Sequence, residues 1–192
     1  MNNNLLETLK IVDGEIQHLS YHQKRYENSL KSLNINPNQS LKELLNPPKE
    51  GIFRCRVVYY DKIIKVEYLP YTQTDIDSLA LIYCDTINYA LKYENREELD
   101  MLFTLRGDCD DILIVKNQLL RDTTRANIAF FDGSQWYTPK EPLLYGTTRA
   151  RLLEAKEIIA SSLHVSDLVS FSQIAVMNAM IGFRIVKNGI IS

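Results

Sequence analysis

The 192-residue sequence predicts a mixed α/β (α+β) protein made of a small N-terminal α/β domain, residues 1–75, and a larger C-terminal α/β domain, residues 76–192. Three observations carry that expectation. Short apolar or alternating segments of strand length recur, separated by turn signals such as Asp13-Gly14 and Asp132-Gly133. Stretches with helical apolar positions lie among them, at 21–33 and at 97–106, together with one rich in helix formers from 147 onward. A polar run, Tyr71-Thr72-Gln73-Thr74-Asp75, interrupts the pattern and marks the boundary. A chain of this length can bury the core of one domain or of two small ones.

Leu5 to Ile11 is predicted as a strand, and Val12-Asp13-Gly14-Glu15 as a hairpin turn. Ser20 is placed to cap a helix from Tyr21 to about Leu33, which Asn36-Pro37 breaks. A second helix, about Leu41 to Leu45, stops before Pro47-Pro48. Phe53 to Tyr60 and Ile63 to Tyr68 form a predicted hairpin about Asp61-Lys62. Arg54 and Arg56 alternate there with Cys55 and Val57, which marks a solvated face, or a carboxylate-binding one if it points to a ligand. Leu79 to Cys84 is a short apolar strand, Glu97 to Arg106 a helix, and Asp111 to Lys116 a strand. Asn127 to Phe131 and Trp136-Tyr137 are strands joined at Asp132-Gly133. Thr147 to about Ser161 is rich in helix formers and predicted as one helix. Phe171 to Val176 and Phe183 to Val186 close the chain as strands.

Composition excludes several classes. Hydrophobic residues at 45% and charged residues at 24% are ordinary for a globular protein. A net charge of −2 gives no basic field for nucleic acid. No apolar stretch is long enough to span a membrane. Met1-Asn2-Asn3-Asn4 begins no signal peptide. Cys55, Cys84 and Cys109 are odd in number and read as reduced thiols, so a cytoplasmic protein is expected. His18, His22 and His164 lack partners at metal-ligand spacing, so no metal site is expected.

Several short motifs carry chemistry. Lys92-Tyr93-Glu94-Asn95-Arg96 sets a lysine four positions before an arginine, after a strand and before a helix. Asp122-Thr123-Thr124-Arg125-Ala126-Asn127 leads an acid through a small polar turn into an apolar strand. Gly146-Thr147-Thr148-Arg149 opens a helix, where unpaired N–H groups and the dipole favour an anion. His22, Arg25 and Ser29 share the first helix, and a planar guanidinium suits a phosphate. Met177-Asn178-Ala179-Met180-Ile181-Gly182 follows a strand. Singly, each has a plainer reading: a surface lysine, a turn aspartate, a helix cap, a solvent-facing arginine, a turn asparagine.

In this order, from about Leu5 to Gly182, the motifs resemble the fold-type IV pyridoxal-phosphate (PLP) enzymes, the class IV aminotransferases and aminodeoxychorismate lyases. The resemblance implies a cofactor in the cleft between the two domains. Lys92 would be the amine that condenses with the PLP aldehyde and shuttles the substrate Cα proton. Asp122, where the family usually carries glutamate, would pair with the ring nitrogen. Arg25, Thr147, Thr148 and Asn178 would hold the phosphate. Leu5-Leu6-Glu7-Thr8 resembles a Phe-Glu-Thr strand that relatives reach later in their chains, so this chain reads as N-terminally truncated.

The ending from Asn178 to Val186 resembles the lyase type rather than the Gly-Thr-Ala turn of branched-chain aminotransferases. It implies a 4-amino-4-deoxychorismate lyase that releases pyruvate and gives 4-aminobenzoate for folate synthesis. The alternatives are a class IV aminotransferase on a small or branched-chain amino acid, and a non-catalytic binding protein on the same fold. A homodimer acting on a small amino-acid-like substrate is also implied.

Overall fold

The computed structural model describes residues 4–191. Met1 to Asn3, on which the signal-peptide reading rests, lie outside the described residues. The chain divides into two compact units. One runs to Gln73 and takes back Leu91–Asn95; the other holds Thr74–Ala90 and everything from Arg96 on.

In the first unit, strands β1 (Leu5–Val12), β2 (Glu15–Ile16), β3 (Ile52–Tyr59) and β4 (Ile63–Pro70) form an antiparallel sheet in the order β2-β1-β3-β4. Asp13 and Gly14 both adopt positive φ, 48° and 85°, the turn that matches strand twist in a two-residue hairpin. Two helices, α1 (Leu19–Ser32) and α2 (Leu41–Leu44), follow β2. Helix α1 starts earlier than predicted: His18, in the left-handed region at φ 53°, is the residue before it, and Ser20 lies inside the first turn. Leu5, Leu9 and Ile11 on the inward row of β1 pack with Tyr26 and Leu30 of α1 and with Cys55, Val57 and Tyr59 of β3. Arg54 is exposed while Cys55 and Val57 are buried, as strand alternation requires.

Leu91–Asn95 joins this unit through the edge of β1. The Leu6 N–H donates to the Lys92 carbonyl at 2.8 Å, and the Glu94 N–H to the Asn4 carbonyl at 2.8 Å. Leu91 and Tyr93 pack on the same core. The backbone of Lys92 is thereby held against the strand that carries Glu7.

Among the described residues the second unit has two sheets. Strands β5 (Leu79–Tyr83) and β6 (Asp111–Lys116) run parallel, connected through α3 (Glu97–Phe103) and one 3₁₀ turn, Thr104–Arg106. β7 (Leu119–Leu120) pairs with β6, and β13 (Ile190–Ile191) pairs with β5. The other sheet has the order β10-β9-β8-β11-β12, with β8 (Asn127–Phe131), β9 (Trp136–Pro139), β10 (Ile159–Ser161), β11 (Gln173–Asn178) and β12 (Gly182–Ile185). Helix α4 (Thr147–Glu154) packs on β11. Ala129, Leu152, Ile158 and Met177 form the core beneath it.

The long helix predicted for 147–161 is corrected. Helix α4 stops at Glu154 because Lys156 adopts φ 58°. The Lys156 N–H donates to the Leu153 carbonyl and the Glu157 N–H to the Leu152 carbonyl, at 3.1 and 2.9 Å. That bonding pattern closes helices whose next residue is left-handed, a position usually held by glycine. Ile159–Ser161 then pairs in parallel with Tyr137–Pro139.

Candidate active-site residues

In the first unit the sequence-derived residues gather about a buried carboxylate. Glu7 points from β1 into the core and is fully buried. Its Oε1 accepts Arg25 Nε at 2.7 Å, and its Oε2 accepts Arg25 Nη2 at 2.6 Å. His22 Nδ1 donates to the same Oε2 at 2.8 Å. Burial alone would raise the Glu7 pKa. The Arg25 charge and the hydrogen bonds from His22 and Arg25 outweigh it and hold the group at about 2. Burial also presses His22 below its ordinary range, against the pull of Glu7 and with the charges of Arg25 and Lys92 adding to it. The pair is therefore a carboxylate and a neutral imidazole. Lys92 is half-buried.

In the second unit Asp122 lies just past β7, where the Ile114 N–H donates to its carbonyl at 3.0 Å and the Arg121 N–H donates back to Ile114 at 2.9 Å. The side chain is buried. Oδ1 accepts Asn127 Nδ2 at 2.9 Å and Oδ2 accepts the Leu144 N–H at 2.9 Å. Asn127 Nδ2 also donates to the Leu144 carbonyl at 2.8 Å. This clamp ties the start of β8 to the loop that enters α4. Burial drives the Asp122 pKa up to about 6, while the hydrogen bonds from Asn127 and Leu144 and the charge of Arg149 moderate the rise.

Gly146 precedes α4, and a Cβ placed on it would lie 2.0 Å from Asn127 Oδ1. The clamp therefore needs glycine for close approach rather than for a special φ. Thr147 and Thr148 open the helix and are buried. Asn178 is committed to the turn after β11. Its Oδ1 accepts the Met180 and Ile181 N–H groups at 2.8 and 3.0 Å, and its Nδ2 donates to the Arg125 carbonyl at 3.1 Å. That last bond attaches Asn178 to the 122–127 loop. A second buried carboxylate, Asp111, braces the same loop by accepting Thr124 Oγ1 at 2.7 Å and Arg125 Nε at 3.3 Å.

Asp122, Thr147, Thr148 and Asn178 are thus linked within the second unit, and Arg25 and the Lys92 backbone within the first. Glu7 and Asp111 had no assigned role in the sequence reading. The Glu7 signal was present, because it is the one charged residue in the inward row Leu5, Glu7, Leu9, Ile11. Among the described residues no cluster of His, Cys, Asp and Glu could hold a metal, and no helix is long and apolar enough to cross a membrane.

The family described as Amino-transferase class IV matches residues 80–188, more than half of the chain. The chain belongs to that family of PLP-dependent enzymes and has its fold-type IV architecture. An uncharacterized protein of Haemophilus influenzae is 38% identical over 184 residues, spanning 93% of this chain and 98% of that protein. A crystal structure from Haemophilus somnus, provisionally named a 4-amino-4-deoxychorismate lyase, superposes with a TM-score of 0.87 at 35% identity, over 95% of this chain and 98% of that one. The PLP-bound form of a hypothetical aminotransferase from Mycobacterium tuberculosis shares the fold, with a TM-score of 0.78 at 17% identity over 97% of this chain and 81% of that one. The chain thus spans nearly the whole of the first two proteins and a smaller share of the third.

Proposed function

We propose that this enzyme is a PLP-dependent lyase of the aminodeoxychorismate type, which releases pyruvate and leaves 4-aminobenzoate, a step of folate synthesis in the cytoplasm. The observation that carries the cofactor reading is Asp122. Its carboxylate is buried with N–H donors on both oxygens, and burial pushes its pKa up to about 6, so a further positively charged partner beside it would be favourable. A protonated ring nitrogen is such a partner. The donor set fits PLP in its other parts as well: a lysine amine, an arginine, and the threonines opening α4.

PLP, when bound, supplies an electron sink for charge developing at the substrate Cα. Lys92 Nζ would hold PLP through its aldehyde and, once freed by the substrate amine, would take the proton from the amine-bearing carbon and deliver it to the departing pyruvyl group. Asp122 would keep the ring nitrogen protonated. Arg25, Thr147, Thr148 and the first N–H groups of α4 would hold the phosphate. Asn178 would join them by exchanging its bond to the Arg125 carbonyl for one to the phosphate.

The lyase reading is supported by the Asn178-to-Gly182 turn and by the 35% identity to the Haemophilus somnus structure. The second reading is a class IV aminotransferase on a small or branched-chain amino acid, which shares the same residues. Pyruvate release from 4-amino-4-deoxychorismate without any keto-acid acceptor is the expected result. Turnover that requires an acceptor moves the assignment to the aminotransferase. Lys92→Ala should lose both the visible absorbance of the PLP-loaded protein and turnover, and full activity in that variant removes Lys92 from the chemistry. A homodimer belongs to the same reading, and sedimentation as a monomer at micromolar concentration contradicts it.

A further inference from the structure

We propose that Glu7 is a positioning residue that preorganises Arg25 for binding a phosphate group. This rests on the reading of Arg25 as a phosphate ligand, and it extends the site to a carboxylate in the core of the first unit.

Glu7 is a misfit in its strand. Glu7 stands in the inward row of β1 between Leu5 and Leu9, where the strand period calls for an apolar side chain. Burying an ion pair there is weak evidence of a gain in stability, since well-packed apolar residues commonly do as well or better. The geometry offers another use. His22 and Arg25 stand three residues apart, on one face of α1, and both reach the same carboxylate. Arg25 meets it with Nε and Nη2, the bidentate fork that fixes both the position and the plane of a guanidinium. His22 takes up Oε2 as a neutral donor and so adds no competing charge. The outcome is asymmetric: Glu7 has no exposed surface, whereas the Arg25 side chain keeps 14%. The cation is presented and its counter-ion is hidden.

A pinned guanidinium has little rotamer freedom left to lose when an anion arrives. A carboxylate that acted only as a counter-charge would do the reverse. It would weaken anion binding by neutralising Arg25, and its removal would tighten that binding. The two roles therefore predict opposite signs.

The test uses the full-length protein freed of cofactor. Affinities for PLP, for pyridoxal (which lacks the phosphate) and for inorganic phosphate are measured on the native protein, on Glu7→Gln and on Arg25→Lys. The expectation is that Glu7→Gln weakens PLP and inorganic phosphate by on the order of tenfold and leaves pyridoxal nearly unchanged. Arg25→Lys keeps the charge but loses the fork, and should show the same selective loss. An unchanged or increased preference for PLP over pyridoxal in Glu7→Gln overturns the proposal. Should Glu7→Gln fail to fold, a native PLP preference in Arg25→Lys overturns it. Failure of the cofactor reading looks different, because the native protein would then show no preference for PLP over pyridoxal at all.

Discussion

Asp122 holds its carboxylate buried, and two consequences follow at the scale of that residue. The first concerns stability. Its pKa is raised from 3.8 to about 6 in the fold, so the folded state binds the proton more tightly than the unfolded one. The stabilisation from that proton is complete below about 3.8 and is lost as pH rises through about 6. Asp122→Asn should remove this trend from melting curves of the cofactor-free protein. At pH 7 the substitution relieves a buried charge, worth roughly 3 kcal/mol for a shift of this size. It also turns an NH₂ group toward a backbone or side-chain N–H donor, at a cost of about 1–3 kcal/mol. The two nearly cancel, so the melting temperature at pH 7 should move little. The second consequence is kinetic: kcat should still fall by on the order of 10²-fold or more, the scale for losing one preorganised electrostatic partner. A parallel fall in melting temperature and activity would assign Asp122 to the fold alone. The sequence singles out Asp122, Lys92 and the Thr147-Thr148 pair because each heads a local motif. It does not show the bond from Arg25 to Glu7, which joins residues 18 apart whose meeting depends on how α1 lies against β1.

Between residue and sheet stands the helix, and α4 is set by what happens at its two ends. At its start, Gly146→Ala would drive a methyl into Asn127 Oδ1, whose side chain is already pinned to Asp122 and to the Leu144 carbonyl. Relief requires breaking that clamp, so a loss of roughly 2 kcal/mol or more is expected, read as a lower melting temperature. An unchanged melting temperature would mean that Asn127 has another place to go. At its end, Lys156 accepts a left-handed backbone that costs an L-residue about 1 kcal/mol or more. Lys156→Gly should raise the melting temperature by about 2–4 °C. A decrease would show that the lysine side chain contributes more than its backbone strain costs. Here the limits of the sequence are physical. The Asp13-Gly14 hairpin was readable because glycine announces the left-handed turn. The end of α4 was not, because lysine occupies the position where glycine would have given the signal. The two-residue strand β7 follows Asn117-Gln118, both at positive φ, and neither is glycine.

Across the molecule, two of the buried carboxylates, Glu7 and Asp122, respond to acid in opposite directions. Glu7, lowered from 4.5 to about 2, contributes stability above about pH 4.5 that is lost as pH falls toward 2. Asp122 gains as pH falls from 7 through about 6. They belong to different units, so a melting transition that strengthens on mild acidification reports the second unit; the first weakens instead, losing the share of His22 as pH falls below about 6.5 and that of Glu7 below about 4.5. Transitions that ignore pH over this range would contradict both assignments. The polar run at 71–75 spans the Gln73–Thr74 step at which the first unit gives way to the second. The return of Leu91–Asn95 to the first unit leaves no sign in the sequence, because it depends on an open edge of β1 that no local pattern announces. That return has a consequence for synthesis of the chain. While the ribosome has made only the first 73 residues, the Leu6 N–H and the Asn4 carbonyl have no strand to meet, and Leu91 and Tyr93 are not yet there to cover the core. The stretch that ends at Gln73 is translated before Leu91–Asn95, so its β1 edge must wait for a segment made after the second unit has begun. Until Leu91–Asn95 has emerged, that edge of β1 stays open to pairing with any other strand that reaches it.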